Sequence, residues 1–438
     1  MRLSATLLCL AGLATTTTTT AQTTTSGYTY TTDANVAALN AIGTKLSQID
    51  AALPNGAPDF VSAKSIFSAS GLASVAQTYA SSSPERTRFV SYDRTGQIAH
   101  NATANANNYA NNFALMALDD NFNGVSIVTL PEVASATSTQ RGGPLGIANK
   151  SRAELIMKGL SLQSMLMGSI NHLFKAHAAC LANSTSDPAV TYVDRAWALF
   201  AAPKGPIALG EKRCPQFATC LATNSGAGVS RVNTKILASF KTTQAAAVSG
   251  QCATMLTQIE DIIVPQSFVP IIQGLYREAW EVDDTMSHVH GGADGFVEVV
   301  EGWAFASAVL PRISSCNATV GAKVVRNMKM RTSTSDAQMV ADGYEAVIAS
   351  VEQTYTCLKI SCGDVNSMLS SFPPNPGPPL WSACQAGNTF PRTTCTIAQT
   401  CSNAAGSKTS TAAGTGTAIV TQWWVGAIAL IGLALGGF

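Results

Sequence analysis

The chain has 438 residues, 46% of them apolar and only 12% charged, and its 27 basic and 26 acidic residues leave a formal net charge of +1. That is enough apolar material for one large domain or two modest ones. No Lys/Arg run breaks the balance, which excludes the concentrated basic surface that a nucleic-acid partner needs.

In chain order, MRLSATLLCLAGLA pairs a positive Arg2 with a short apolar run from Leu3 to Ala14, and small residues follow. This is the pattern of a secretory signal over 1–21, too short to span a bilayer. The Thr-rich stretch that continues over 22–32 is expected to be disordered and open to O-glycosylation. From Asp33, a good N-cap, Val36, Leu39, Ile42, Leu46 and Ile49 recur at helical spacing up to a Pro-Asn-Gly turn. A second helix is expected over 60–80, weakened by Gly71. Residues 81–100 read as loop, 101–122 as helix, and VSIVTL at 125–130 as a lone strand. Helix returns over 151–182, where Ser151 and Glu154 have the spacing of a capping box. Further helices are expected over 188–203, 229–249 and 252–264, and two amphipathic ones over 316–330 and 335–357. A proline-rich linker begins at Phe372.

At the far end, small residues around Asn403 are followed by a polar spacer and then by AIVTQWWVGAIALIGLALGGF, apolar to the last residue. Small site, spacer and apolar tail are the three parts of a glycolipid-anchor signal, removed in the mature protein. A plain transmembrane tail is the alternative, and the missing positive flank counts against it. Outside the signal the chain carries ten cysteines, an even number that reads as disulfides in an exported protein. Cys214/Cys220 and Cys357/Cys362 are spaced to close short local loops, although spacing does not settle the pairing. Sequons at Asn101, Asn149, Asn183 and Asn317 mark glycosylated surface.

These signals predict a mostly α fold, a disulfide-stabilised helical ectodomain with two weakly related helical halves. The expected segments are a signal peptide over 1–21, the Thr-rich segment over 22–32, an N-terminal half over 33–228 and a C-terminal half over 229–371. A Pro/Cys-rich linker over 372–403 and a removed anchor signal over 404–438 complete the chain. The halves rest on a faint internal echo. YVDRAWALFAAP at 192 resembles FVEVVEGWAFASAVLP at 296, and MKGLSLQSML at 157 resembles IQGLYREAWE at 272. Shared helix chemistry in an Ala-rich chain is the competing explanation.

Function points to residues 265–311, where seven acidic residues and His288-Val289-His290 gather between prolines. Read as a helix over 268–288, a Gly-Gly turn and a helix over 294–310, the stretch folds into a hairpin. Glu281, Asp284 and His288 then share one face, and Asp294, Glu298 and Glu301 share the facing one. His288 would lie near Asp294, Asp284 near Glu298, and Glu281 near Glu301. Facing carboxylates repel, and a cation reverses the sign. Oxygen ligands with imidazole suit iron or manganese, and calcium if the histidines stay out. A solvated helix pair is the plain alternative. Arg277-Glu278-Ala279-Trp280-Glu281 has the Arg-Glu-x-x-Glu spelling of iron permeases, which is weak by itself. No Gly-x-Ser-x-Gly, His-Glu-x-x-His or phosphate-binding loop occurs, so no enzyme is expected. His172 and His177, on an apolar helix, read as packed or capping residues.

Four runs carry a family resemblance: GEKRCPQFATC, VPIIQGLYREAWEVD, VEGWAFASAVLPRISSCNATVGAKVVRNM and YEAVIASVEQTYTCLKISCGDV. They resemble the iron-assimilating, low-iron- and high-CO2-inducible periplasmic proteins of green algae, closely over 190–365 and loosely over 33–180. The resemblance implies a secreted, helix-rich protein of two related halves that assists iron uptake at the wall side of the plasma membrane. Asp283 and Glu301 sit in its most family-like runs, whereas Glu278 and Glu281 are less typical. Arg195 stands where the second half has Glu301, which breaks the symmetry of a two-site picture.

The expected function is therefore an extracellular, membrane-tethered iron-binding protein, holding Fe3+ or Fe2+ through Glu281, Asp283, Asp284, His288, Asp294, Glu298 and Glu301. Its partners would be iron ions, a surface ferric reductase or iron permease, and the membrane through a C-terminal lipid anchor. The alternatives are a structural surface-coat glycoprotein and a metal oxidase.

Overall fold

A computed structural model describes residues 24–25, 27–31, 34–54, 57–72, 75, 117–118, 149–186, 188–221, 229–283, 295–329 and 339–368. The signal peptide, the linker, the anchor signal and the expected strand at 125–130 lie outside these residues. Helix makes up 78% of the described residues, so the fold is mostly α. Among them no helix is long and apolar enough to cross a membrane.

The described chain opens on an antiparallel pair of two-residue strands, Thr24–Thr25 with Tyr28–Thr29, where disorder was expected over 22–32; burial of Tyr28 and Tyr30 holds this stretch on the core. Two helices follow, α1 (Ala34–Ala52) and α2 (Phe60–Ala69). Asp59 caps α2 by accepting from the Ser62 amide at 2.9 Å. The second helix breaks at Ser70 and Gly71, the latter at φ +79°, a conformation L side chains avoid; Leu72 and Val75 are helical again, and most of the expected span from 73 to 80 lies outside the described residues. Next comes α3 (Asn149–Lys158), which runs through a π-helical stretch (Gly159–Met165) into α4 (Leu166–Leu181). Then follow α5 (Ala189–Phe200) and α6 (Pro206–Arg213). The expected capping box is not made. Helix α3 starts two residues earlier, Ser151 Oγ is buried without a partner, and Glu154 pairs with Lys158 at 3.2 Å.

The C-terminal part is helical as well. Helix α7 (Arg231–Val248) precedes α8 (Cys252–Gln258), a π-helical stretch (Ile259–Ile263) and α9 (Val264–Val282). Next are α10 (Gly295–Cys316), α11 (Ala318–Met328), α12 (Tyr344–Glu352) and two single turns, Tyr355–Leu358 and Cys362–Val365. Of the prolines expected to bracket the hairpin, Pro311 lies inside α10, and Pro265 stands in the first turn of α9, which continues the π-helical stretch without a break. Pro265 is tolerated because the wider π turns sit where its ring would otherwise strike the Asp261 carbonyl. The expected single helix over 335–357 also fails. Its described part begins at Tyr344, after Gly343 at φ +83°, and breaks at Gln353 and Thr354.

Two antiparallel pairs organise the core. In the first, Ser169 of α4 hydrogen-bonds the Ala196 carbonyl of α5, and the His172 ring stacks on Tyr192. In the second, α9 lies against α10 with Gly274 beside Phe305 and Glu278 beside Gly302. Helix α3 with its π continuation runs parallel to α10, since Lys158 meets Glu301 and Gln163 bonds Ser307. Trp197, Phe217, Phe240, Phe268, Trp280, Phe305 and Tyr355 are buried in one continuous core.

Three disulfides pin the helices: Cys180–Cys252, Cys214–Cys220 and Cys316–Cys357. The first closes 72 residues and ties the end of α4 to the start of α8. The small Cys214–Cys220 loop agrees with its spacing. Cys357 does not pair with Cys362; it reaches back to Cys316 at the end of α10, and Cys362 is disulfide-bonded as well.

Candidate metal centre

The acidic seam forms where α9 and α10 approach most closely, and two glycines permit that approach. A Cβ on Gly274 would lie 2.4 Å from the Phe305 ring. One on Gly302 would lie 2.9 Å from Met328 Cε and 3.3 Å from Glu278 Cβ. The side chain of Glu278 therefore starts in direct contact with α10, one residue from Glu301. Carboxylate oxygens of Glu278, Glu298 and Glu301 come within 4.8 Å of one another. Glu281 lies one turn further along α9, beside Glu278 and Glu298.

Cations from three elements reach the same place. Arg213, the last residue of α6, and Arg277 of α9 both donate to Glu278 Oε1, at 3.0 and 2.9 Å. Arg277 also donates to Glu281 Oε1. Lys158, the last residue of α3, stands 3.4 Å from Glu301 Oε1 and 3.2 Å from Glu154. Phe305 covers this layer, with the Arg213 guanidinium 5.0 Å and the Lys158 ammonium 6.0 Å from its ring centre. Glu278 and Arg213 are fully buried, Glu301 is 5% and Glu281 8% exposed, and Glu298 is half-buried. Solvent therefore reaches the cluster at its edges, at Glu298 and at Glu154.

One pattern recurs in three of the carboxylates. In Glu278, Glu281 and Glu301 one oxygen is held by a cation, and the other, Oε2, is buried with no backbone, amide or hydroxyl donor, only the neighbouring carboxyls. An unsatisfied buried acceptor of this kind costs about 1–3 kcal/mol, more when charged. The acidities show how the cluster copes with that cost. Burial would raise Glu278, but the charges of Arg277 and Arg213 outweigh it and hold the carboxyl down at about 2. Burial, helped by the Glu278 charge, pushes Glu281 up to about 11 and Glu298 up to about 8. Glu301 is raised by burial despite the charge of Lys158. At neutral pH Glu278 is thus a firm anion, and Glu281 and Glu298 beside it keep their protons unless a cation replaces them.

Of the residues singled out in the sequence, Glu281, Glu298 and Glu301 fall in this cluster. Asp283 does not: its Oδ2 accepts from the Tyr344 amide at 2.7 Å and caps the start of α12. Asp284, His288 and Asp294 lie outside the described residues. The facing register also differs from the expected one. Glu278 rather than Glu281 lies beside Glu301, a shift of one turn that matches the end of α9 at Val282 and the start of α10 at Gly295. Sequence reasoning left Glu278 out of the ligand set. It also missed Glu154, Lys158 and Arg213, which come from helices more than 60 residues away in the chain. The one local signal for Glu278 was its place in Arg-Glu-x-x-Glu.

No family model, curated protein or solved structure matches this chain.

Proposed function

We propose that the protein is an extracellular, membrane-tethered metal-binding protein that takes up iron at the carboxylate cluster between α9 and α10 and assists its assimilation. The observation that carries this reading is the trio Glu278, Glu298 and Glu301, drawn to within 4.8 Å, with Oε2 of Glu278 and Glu301 buried and met by no backbone, amide or hydroxyl donor. Oxygens bound to a hard cation at about 2.0–2.6 Å lie at most about 4–5 Å apart, so such an ion fits with little rearrangement. An all-oxygen donor set favours a hard ion over a soft one. Arg213, Arg277 and Lys158 hold the other oxygens and so orient the carboxylates, the part played by outer-shell partners in metal sites. Uptake is reversible ligation with no bond chemistry: as the ion enters from the Glu298 side, Glu281 and Glu298 give up protons to solvent. The resemblance to iron-assimilating algal proteins makes iron the preferred ion, and a surface ferric reductase or iron permease the partner that would load or receive it.

Calorimetric titration of the secreted ectodomain with ferrous and ferric iron near neutral pH, run in buffers of different ionisation enthalpy, tests the proposal. One ion per chain should bind with proton release, and binding should fall at least tenfold in Glu298→Gln and Glu301→Gln. Absence of binding, or binding unchanged in both variants, overturns the reading.

One observation favours a second reading, a structural surface-coat glycoprotein. Four cations, Lys158, Lys212, Arg213 and Arg277, already act on the cluster's carboxylates without a metal. On that reading the network only locks α3, α6, α9 and α10 together, and iron leaves the melting temperature unchanged.

A further inference from the structure

Three of the four sequons fall on described residues, at Asn149, Asn183 and Asn317, and their surroundings differ. Asn183 follows α4 in a turn at φ +49°, where its amide bonds the Cys180 carbonyl at 3.0 Å and that of Ser184 bonds Ala179 at 3.1 Å. The backbone there is tied down while both Asn183 and Thr185 are exposed. Asn317 is the N-cap of α11, in extended conformation. Its Oδ1 accepts from the amides of Thr319 and Val320 at 3.0 and 3.2 Å, and both Asn317 and Thr319 are exposed. Capping uses only the side-chain oxygen, so the amide nitrogen is left to face solvent. Asn149 is different: it opens α3, is half-buried, and the hydroxyl of its sequon, Ser151, is fully buried in the core.

We propose that Asn183 and Asn317 are the N-glycosylation sites of the folded domain and that Asn149 stays unmodified. This rests on the export that the proposed function assumes. In the transfer, Asn Nδ2 forms a bond to C1 of the first sugar of a lipid-diphosphate-linked oligosaccharide. The bond from that C1 to the diphosphate oxygen breaks, the lipid diphosphate leaves, and the amide proton is lost to solvent. At Asn317 the new bond leaves Oδ1 in place, so one residue caps α11 and carries the sugar chain. Both sites adjoin disulfide-bonded cysteines, Cys180 and Cys316, at the ends of α4 and α10. A bulky hydrated glycan there would shield two crosslinked helix ends.

The test is to secrete the full chain from a eukaryotic host, remove N-glycans enzymatically in 18O water, and map the labelled Asp by peptide mass spectrometry. Asn183 and Asn317 should be labelled in most copies and Asn149 in none. Thr185→Ala and Thr319→Ala should each remove one glycan's worth of gel mobility. They keep both asparagines and the α11 cap, so their melting curves should stay close to wild type. If Asn101 is labelled while Asn183 or Asn317 is not, the assignment of that site is overturned and export stands. Label at Asn149 overturns the sorting by burial. A chain with no label at any sequon overturns both this proposal and the export on which it rests.

Discussion

Two buried acidic sites, one at Asp194 and one between α9 and α10, solve the same problem differently. Asp194 on α5 is fully buried, and every lone-pair direction it needs is met. Tyr28 Oη donates to its Oδ1 at 2.7 Å and Gln244 at 2.6 Å, while its Oδ2 accepts from the amide and hydroxyl of Thr31. It clamps the segment 28–31 onto α5 and α7, and Tyr28 stacks on Trp197 at 5.2 Å. Glu278, Glu281 and Glu301 are also buried, yet each keeps one oxygen with no backbone, amide or hydroxyl donor, facing only other carboxyls. A carboxylate that serves only packing is normally saturated, as Asp194 is. Three that share the same deficit, aimed into one cluster, are what a site kept open for a cation or for protons would show.

The largest expected effect is Arg213→Met. It leaves Glu278 buried with half of its cation support, so unfolding by denaturant should show a loss of about 3–5 kcal/mol. A loss below about 1 kcal/mol would mean that Glu278 is not the firm anion of the cluster. Next is Asp194→Asn, which weakens charged hydrogen bonds from Thr31 and Tyr28 and should cost about 2–3 kcal/mol. Limited proteolysis should then cut near residue 31 sooner, with iron affinity unchanged, since this site is saturated and separate.

Smaller still is a contrast inside the cluster. Glu278→Gln removes an ionised group held at about 2 and should cost about 2 kcal/mol or more, with two arginines left short of their partner. Glu281→Gln replaces a group pushed up to about 11, already neutral at pH 7, and should change stability by less than about 1 kcal/mol. The smallest effect is on the pH profile of the metal-free protein. Glu298 and Glu281 hold protons in the fold that the unfolded chain releases above its ordinary 4.5, so stability should fall as pH rises from about 5 to 8. Glu278 has the opposite slope and loses its contribution as pH falls from 4.5 towards 2. Melting temperature followed from pH 4 to 8 should therefore decline, and Glu298→Gln should flatten the decline.

The helices were legible because apolar periodicity is a local property. Val36, Leu46 and Ile49 on α1 and the Trp-bearing faces of α5 and α10 are buried as their spacing predicts. Boundaries were less legible where a distant residue sets them. Asp283 starts α12 from 61 residues away, and no local signal announces it. Pro265 reads as a stop in the sequence, yet the helix passes through it on π turns. At the site, Glu298 and Glu301 could be placed on one face of α10, but their partner across the seam depended on where α9 stops, which spacing does not fix. Lys158 and Arg213 could not be placed at all, since what brings them in is packing among α3, α6 and α10. Asp283 was misassigned for the mirror reason. A carboxylate in an acidic run looks the same in sequence whether it ligates or caps.

The most direct test is anomalous diffraction at the iron edge from crystals of the iron-loaded ectodomain. The account predicts a single strong peak among the carboxylates of Glu278, Glu298 and Glu301, with Glu281 within reach. A peak elsewhere, or none with iron present in excess, would contradict it and leave the buried network as a lock between helices.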